Sequence, residues 1–230
     1  RVRPSEVLIN FMTKDISRFV DDEDSSALQS FVDLFGDASY RKAWRGLTDL
    51  EREDQIVETY CSRVRDAGDF AYSAATVVLN PRYDRTHYHL VYCTRSLHGL
   101  IAFRESERAS MPEQIKVRAE ARQQERISIH RQGELFAAQV METPYMAQLQ
   151  DRYQQRARTR VLKQLAERGE IDFDELVATA LSFPMTSMND LKNWLGGWKE
   201  EKAVGFIGLE RRQRALVVAQ RHRVRWRGGL

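Results

Sequence analysis

With 230 residues, 42% of them hydrophobic and 10% aromatic, the chain has enough apolar material for one large domain or two modest ones, which excludes a disordered segment. No apolar run approaches the length of a membrane span and no charged-then-apolar leader opens the chain, so a soluble cytoplasmic protein with no membrane partner is expected. The net charge of +3 is small but unevenly spread: Arg211, Arg212, Arg214, Arg221, Arg223, Arg225 and Arg227 crowd the C-terminal end. Cys61 and Cys93 are the only cysteines and stand far apart, which fits a reducing compartment.

The chain opens Arg1-Val2-Arg3-Pro4 without an initiator Met and runs straight into Val7-Leu8-Ile9-Asn10-Phe11. An apolar run without alternation predicts a strand covered on both faces, as in a parallel α/β sheet. Its partners would precede residue 1, so a fragment is expected. From Thr13 to Ala67 the spacing turns helical. Ile16, Phe19 and Val20 mark one short helix, and Leu28, Phe31, Val32 and Phe35 a second before Gly36. The acidic run Asp21-Asp22-Glu23-Asp24 between them reads as a solvated loop or helix cap, since no ligand set surrounds it. Trp44 and Leu47 suggest a further turn. Thr48-Asp49-Leu50-Glu51 is a capping box for a helix carrying Ile56, Val57, Tyr60, Cys61 and Val64, which Gly68 ends.

Phe70–Leu79 and His87–Thr94 are rich in β-branched and aromatic residues and predict a hairpin across the turn Asn80–Thr86. In the second run His87, His89, Val91 and Cys93 would share one face and Tyr88, Leu90, Tyr92 and Thr94 the other. Arg82, Asp84, Arg85, His87 and His89 gather at one strand end, where polar groups on a sheet rim can meet a ligand. With Asn10 they are the candidate substrate-loop residues. The alternative, a turn with solvated charges, is the commoner use of such loops. His87 and His89 lack a third nearby ligand, which favours structural histidines over a metal site. After Ser96, the residues Leu97, Leu100, Ile101 and Phe103 predict a helix packing back on the sheet.

From Met111 the composition shifts to Arg, Glu and Gln, predicting a helical linker with solvated mixed charge. The last third predicts helices over Met146–Arg168, Phe173–Leu181 and Met188–Lys202, then two short strands, Val204–Gly208 and Ala215–Ala219. This is winged-helix order. Asp172 with Glu175 and Ser187 with Asp190 read as capping boxes. Met188, Leu191, Leu195 and Trp198 make the third helix amphipathic, so Trp194 and Trp198 read as core. The tip Glu210–Arg214 would present Arg211, Arg212 and Arg214 to phosphate, and Arg221, Arg223, Arg225 and Arg227 would share one face of an extended tail. Arg211, Arg212, Arg214, Arg221, Arg223 and Arg225 are the candidate nucleic-acid-binding residues, for DNA or RNA. Winged helices also dock proteins, and a basic tip also serves as a soluble turn.

The stretch Ser5-Glu6-Val7-Leu8-Ile9-Asn10-Phe11-Met12, the element Leu34-Phe35-Gly36 and the strand Thr86-His87-Tyr88-His89-Leu90-Val91-Tyr92-Cys93-Thr94-Arg95 together resemble the three-Cys-motif partner protein family, TcmP. The resemblance spans most of the chain, with the last third matched by general pattern only. It implies a class I methyltransferase-like, Rossmann-like sheet in which Val7–Phe11 is the fifth strand and the hairpin supplies the last two. The implied fold class is α/β: residues 1–110 as the C-terminal part of that sheet with a helical insertion, 111–144 as linker and 145–230 as a winged-helix-like domain. The family's glycine-rich loop, the acidic residue after the second strand and its Asp-Pro-Phe-Gly segment have no counterpart here. S-adenosylmethionine is therefore implied for an intact protein, with no cofactor expected on this chain alone. The expected function is the C-terminal part of a methyltransferase-like protein acting on or binding nucleic acid. The alternative is a non-catalytic adaptor whose winged helix docks a three-cysteine-motif partner.

Overall fold

The computed structural model describes residues 5–13, 16, 25–35, 44, 46–130, 144–210 and 212–228. The chain forms two compact units, one from the residues up to Arg95 with the helix segment from Ser110, the other from Ser96–Ala109 with the residues from Pro144. No helix among the described residues is long and apolar enough to cross a membrane.

The first unit contains β1 (Val7–Phe11), α1 (Ser25–Phe35), α2 (Asp49–Ala67), β2 (Tyr72–Leu79) and β3 (Thr86–Thr94). The start of α2 is encoded locally. Thr48 Oγ1 accepts the Glu51 amide at 3.4 Å while the Glu51 carboxylate accepts the Thr48 amide at 3.0 Å, so both halves of the capping box form. Gly68 ends the helix, where a Cβ would collide with the Phe70 ring. The buried stripe Ile56, Val57 and Cys61 packs with Phe11, Ala75, Val91 and Cys93 of the sheet and with Phe35 and Trp44, and Tyr60 stacks on Phe11 at 3.9 Å.

The strands lie in the order β1-β3-β2, with β3 antiparallel to both neighbours. The expectation of a strand covered on both faces is corrected here. β1 pairs with β3 alone among the described strands, and its burial alternates: Phe11 is in the core while Leu8 is 61% exposed and Asn10 faces solvent. A pleat turns successive side chains to opposite faces whatever their polarity, so in this edge strand Leu8 and Asn10 face away from the core that holds Phe11. In β3, His89, Val91 and Cys93 are buried together as the alternation predicts, but the register shifts between Val78 and Leu79, opposite His87, which is exposed. A bulge there separates the environments of the two histidines. The predicted helix at Ile16, Phe19 and Val20, the run Asp21–Asp24 and Gly36 lie, Ile16 aside, outside the described residues.

The second unit contains the opening segment of α3 (Leu97–His130), then α4 (Pro144–Arg168), β4 (Glu170–Asp172), α5 (Phe173–Leu181), α6 (Met188–Glu200), β5 (Val204–Ile207) and β6 (Arg223–Trp226). The helix predicted from Leu97 and the linker predicted from Met111 are thus one helix of 34 residues that continues through Pro112. α4 buries Met146, Leu149, Tyr153, Ala157, Val161 and Leu165, one side chain every three or four residues, against Leu176, Val177 and Ala180 of α5 and Leu191, Leu195 and Trp198 of α6. Ser187 and Asp190 form their capping box. Asp172 makes no side-chain cap to α5, and its carboxylate pairs instead with Arg223 at 3.2 Å, while Glu175 is taken by Arg168 and Gln164.

The second sheet runs β4-β6-β5, all antiparallel. Its last strand corrects the prediction: Ala215–Ala219 is not a strand, and β6 is Arg223-Val224-Arg225-Trp226. The β-propensity of Leu216-Val217-Val218 loses to a segment whose alternation suits two partners at once. Val224 is fully buried, while Arg223 and Arg225 reach across to Asp172 and Glu170. The loop between β5 and β6 is built rather than slack. Leu216 is buried, the Val217 amide donates to His222 Nδ1 at 2.9 Å, and the Ala219 amide donates to both oxygens of Asp174 at 3.1 Å.

Candidate functional site

The hairpin turn is ordered by the later half of α3. Asn80 Oδ1 accepts the amides of Arg82 and Tyr83 at 2.9 and 3.0 Å, an Asx turn that bends the chain. Arg118, 5% exposed, donates to the carbonyls of Asn80 and Tyr83 and to the Asp84 carboxylate, the last at 2.7 Å. Arg122 adds bonds to Asp84 at 2.6 Å and to the Arg82 carbonyl at 3.2 Å. Asp84 therefore carries the clamp rather than facing a ligand, while the side chains of Arg82 and Arg85 stay exposed, with Arg85 4.9 Å above the Tyr83 ring. Replacing Asp84 by Ala leaves the buried Arg118 guanidinium without its counter-ion and is expected to cost about 2 kcal/mol in urea unfolding, whereas Arg82→Ala or Arg85→Ala should stay within about 0.5 kcal/mol. Equal small effects for all three would return Asp84 to the solvated turn.

The other candidates from this region do not converge with the turn. Asn10 is exposed on the sheet face opposite His89, and His87 is exposed beside Tyr88. His89 is 2% exposed, and burial holds its imidazole down to about 4, so it is neutral at pH 7. Its Nδ1 makes no hydrogen bond and lies 3.8 Å from Glu53 Oε1. Glu53 accepts the hydroxyls of Thr13 at 2.8 Å and Thr86 at 3.2 Å, so the carboxylate is occupied by other donors. Among the described residues no group of three or more His, Cys, Asp or Glu is placed to hold a metal ion.

The basic end sorts into two sets. Arg223 bridges Glu170 and Asp172, and Arg225 donates to Glu170 at 2.8 Å. The Arg225 hydrogen bond and the charges of both arginines hold the Glu170 carboxyl below the ordinary carboxylate range. These two guanidinium groups are neutralised within the sheet. Arg212, Arg214 and Arg221 are exposed, Arg221 on a left-handed turn with φ 54°, and Arg211 lies outside the described residues.

Arg214 lines a groove of about 470 Å³ between α6 and the β5–β6 loop, in the size range of ligand sites. Lys192, Lys199, Arg214 and Glu200 supply its charged groups, and Leu195, Gly196, Phe206, Ala215 and Leu216 its apolar surface. The Lys199 ammonium lies 4.5 Å from the centre of the Phe206 ring. Lys192 and Lys199 share a face of α6 because seven residues make two turns, a spacing legible in the sequence once the buried face is assigned to Leu191, Leu195 and Trp198. Phe206 reaches them only through the pairing of β5.

No protein-family model, curated protein or solved structure matches the chain. What the site can do therefore rests on its geometry. Among the described residues, β3 passes to α3 through Arg95 and Ser96 and β4 runs directly into α5, so neither of these connections carries a glycine loop.

Proposed function

We propose that this chain is the C-terminal part of a methyltransferase-like protein and that its second unit grips nucleic acid through phosphate. The observation that carries the binding role is the groove beside α6, where Lys192, Lys199 and Arg214 converge from a helix and a loop, with Glu200 the one carboxylate among the described residues that line it. Arg223 and Arg225, by contrast, are already paired with Glu170. The element order α4-β4-α5-α6-β5-β6 with sheet order β4-β6-β5 supports a winged-helix reading of this unit. The methyltransferase-like part is supported by the first sheet. β3 runs antiparallel between β1 and β2, which therefore point the same way, as the last three strands of the implied fold would.

Binding to unrelated duplexes and RNAs should weaken linearly with the logarithm of salt, with slopes of about −0.9 per duplex phosphate contact and −0.7 per single-strand contact. The triple variant Lys192→Ala, Lys199→Ala, Arg214→Ala is expected to flatten that slope by about two to three units with little change in sequence preference. No binding at low salt, or a slope unmoved by the triple variant, would favour an adaptor that docks a three-cysteine-motif protein.

A further inference from the structure

We propose that the groove between α6 and the β5–β6 loop takes a single-stranded nucleotide, with the base on the apolar surface and the phosphate on the cations. This rests on the nucleic-acid reading above and specifies the form of the ligand. The first argument is shape. A duplex keeps its bases stacked inside and offers outward only phosphates and groove edges, which have no use for a concavity of about 470 Å³ faced by Leu195, Phe206 and Leu216. An unpaired base has a free π face and fits such a surface whatever its identity.

The charges point the same way. A site for a bare anion would be weakened by Glu200, which lines the groove together with Lys192, Lys199 and Arg214. A nucleotide uses both signs: its phosphate meets the cations, and an exocyclic amino group, as on cytosine or adenine, donates to a carboxylate. Lys199 already lies over the Phe206 ring, so cation and aromatic surface form one continuous wall for a group that is anionic at one end and flat at the other. Gly196 keeps the helix side of the groove open. Glycine is unfavourable in a helix interior, and no atom of the chain lies within 4 Å of where its Cβ would be, so internal packing does not require it.

The test uses the full chain at low salt, with a labelled single strand of about ten nucleotides, as DNA and as RNA, and the blunt duplex of the same sequence. The strand is expected to bind about tenfold more tightly than the duplex. Gly196→Leu, which fills the groove from the helix side, should weaken strand binding about tenfold and duplex binding much less, without lowering the melting temperature, since leucine is the better helix former. Ala215→Trp fills it from the exposed loop side and should act alike, so the test survives if one variant folds poorly. A duplex that binds as tightly as the strand, or strand binding untouched by both filling variants, overturns the inference and leaves phosphate binding standing. Failure of the strand and the duplex alike to bind overturns both.

Discussion

Replacing Arg104 by Ala is expected to destabilise the second unit by about 3–5 kcal/mol, the cost of removing one partner from a buried ion pair. Arg104 is 2% exposed on the opening segment of α3. Its Nε donates to the Leu181 carbonyl at 2.8 Å and its Nη2 to the Ser182 carbonyl at 3.2 Å, satisfying backbone acceptors left over where α5 ends. Its Nη1 pairs with Glu107 at 2.7 Å, and the same carboxylate oxygen accepts the Met185 amide at 3.1 Å. Truncation therefore leaves a buried carboxylate without its cation and helix-end carbonyls without their donor. Urea denaturation measures the loss. The double variant Arg104→Met, Glu107→Leu should recover the part that comes from the unpaired charge, because the desolvation penalty of both charges disappears together, while the Leu181 and Ser182 carbonyls and the Met185 amide still lose their partners. A single-variant loss below about 1 kcal/mol would show that water reaches the pair and that the bridge contributes little.

His89 predicts a loss of stability in acid that is steeper than surface groups would give. In the unfolded chain its imidazole takes a proton near its ordinary value of 6.5, whereas burial holds the folded value down to about 4. The unfolded state then binds more protons between these values, so stability is full above pH 6.5 and falls as the pH drops toward 4. The slope approaches about 1.4 kcal/mol per pH unit and the total is roughly 3 kcal/mol. Glu53 does not reverse the sign. At 3.8 Å it makes no hydrogen bond to the ring, and its oxygens are already bonded to Thr13 and Thr86. Unfolding free energies of the natural chain and of His89→Leu, measured from about pH 7.5 to 4.5, should converge as the pH falls. Parallel curves would mean that the ring protonates in place and that the Glu53 side of the site is wet.

The functional reading depends on which arginines are free, and density along the chain does not report this. Arg214, Arg223 and Arg225 look equivalent in the sequence, yet strand pairing places Arg223 and Arg225 across from Asp172 and Glu170 while Arg214 reaches the groove. A phosphate approaching β6 must compete with carboxylates already in contact, whereas one approaching α6 meets Lys192 and Lys199 without such competition from the sheet. The two acidic residues of β4, Glu170 and Asp172, decide this, and only the register brings them into play.

Local physics made much of the fold legible from the residues alone. Thr48 with Glu51 and Ser187 with Asp190 specify helix starts because each box closes its own orphan amides within four residues. The hairpin over Tyr72–Leu79 and Thr86–Thr94 follows from two β-rich runs and an Asn-Pro turn, and the amphipathic faces of α2, α4 and α6 from helical spacing. Non-local pairing decided the rest. Ala215–Ala219 has the propensity of a strand, but Arg223–Trp226 wins because its alternation satisfies β4 and β5 together, an energy no single-segment pattern contains. Asp172 pairs across the sheet instead of capping α5, and α3 continues through Pro112 with Arg104 anchored before it and Arg118 after it. Asp84 looked like a solvated turn charge until α3 supplied two guanidinium groups from 34 and 38 residues away. The composition fixed how many charges the chain carries; only the tertiary structure decided which of them are already paired, because ion pairing depends on distance in space and not on separation along the chain.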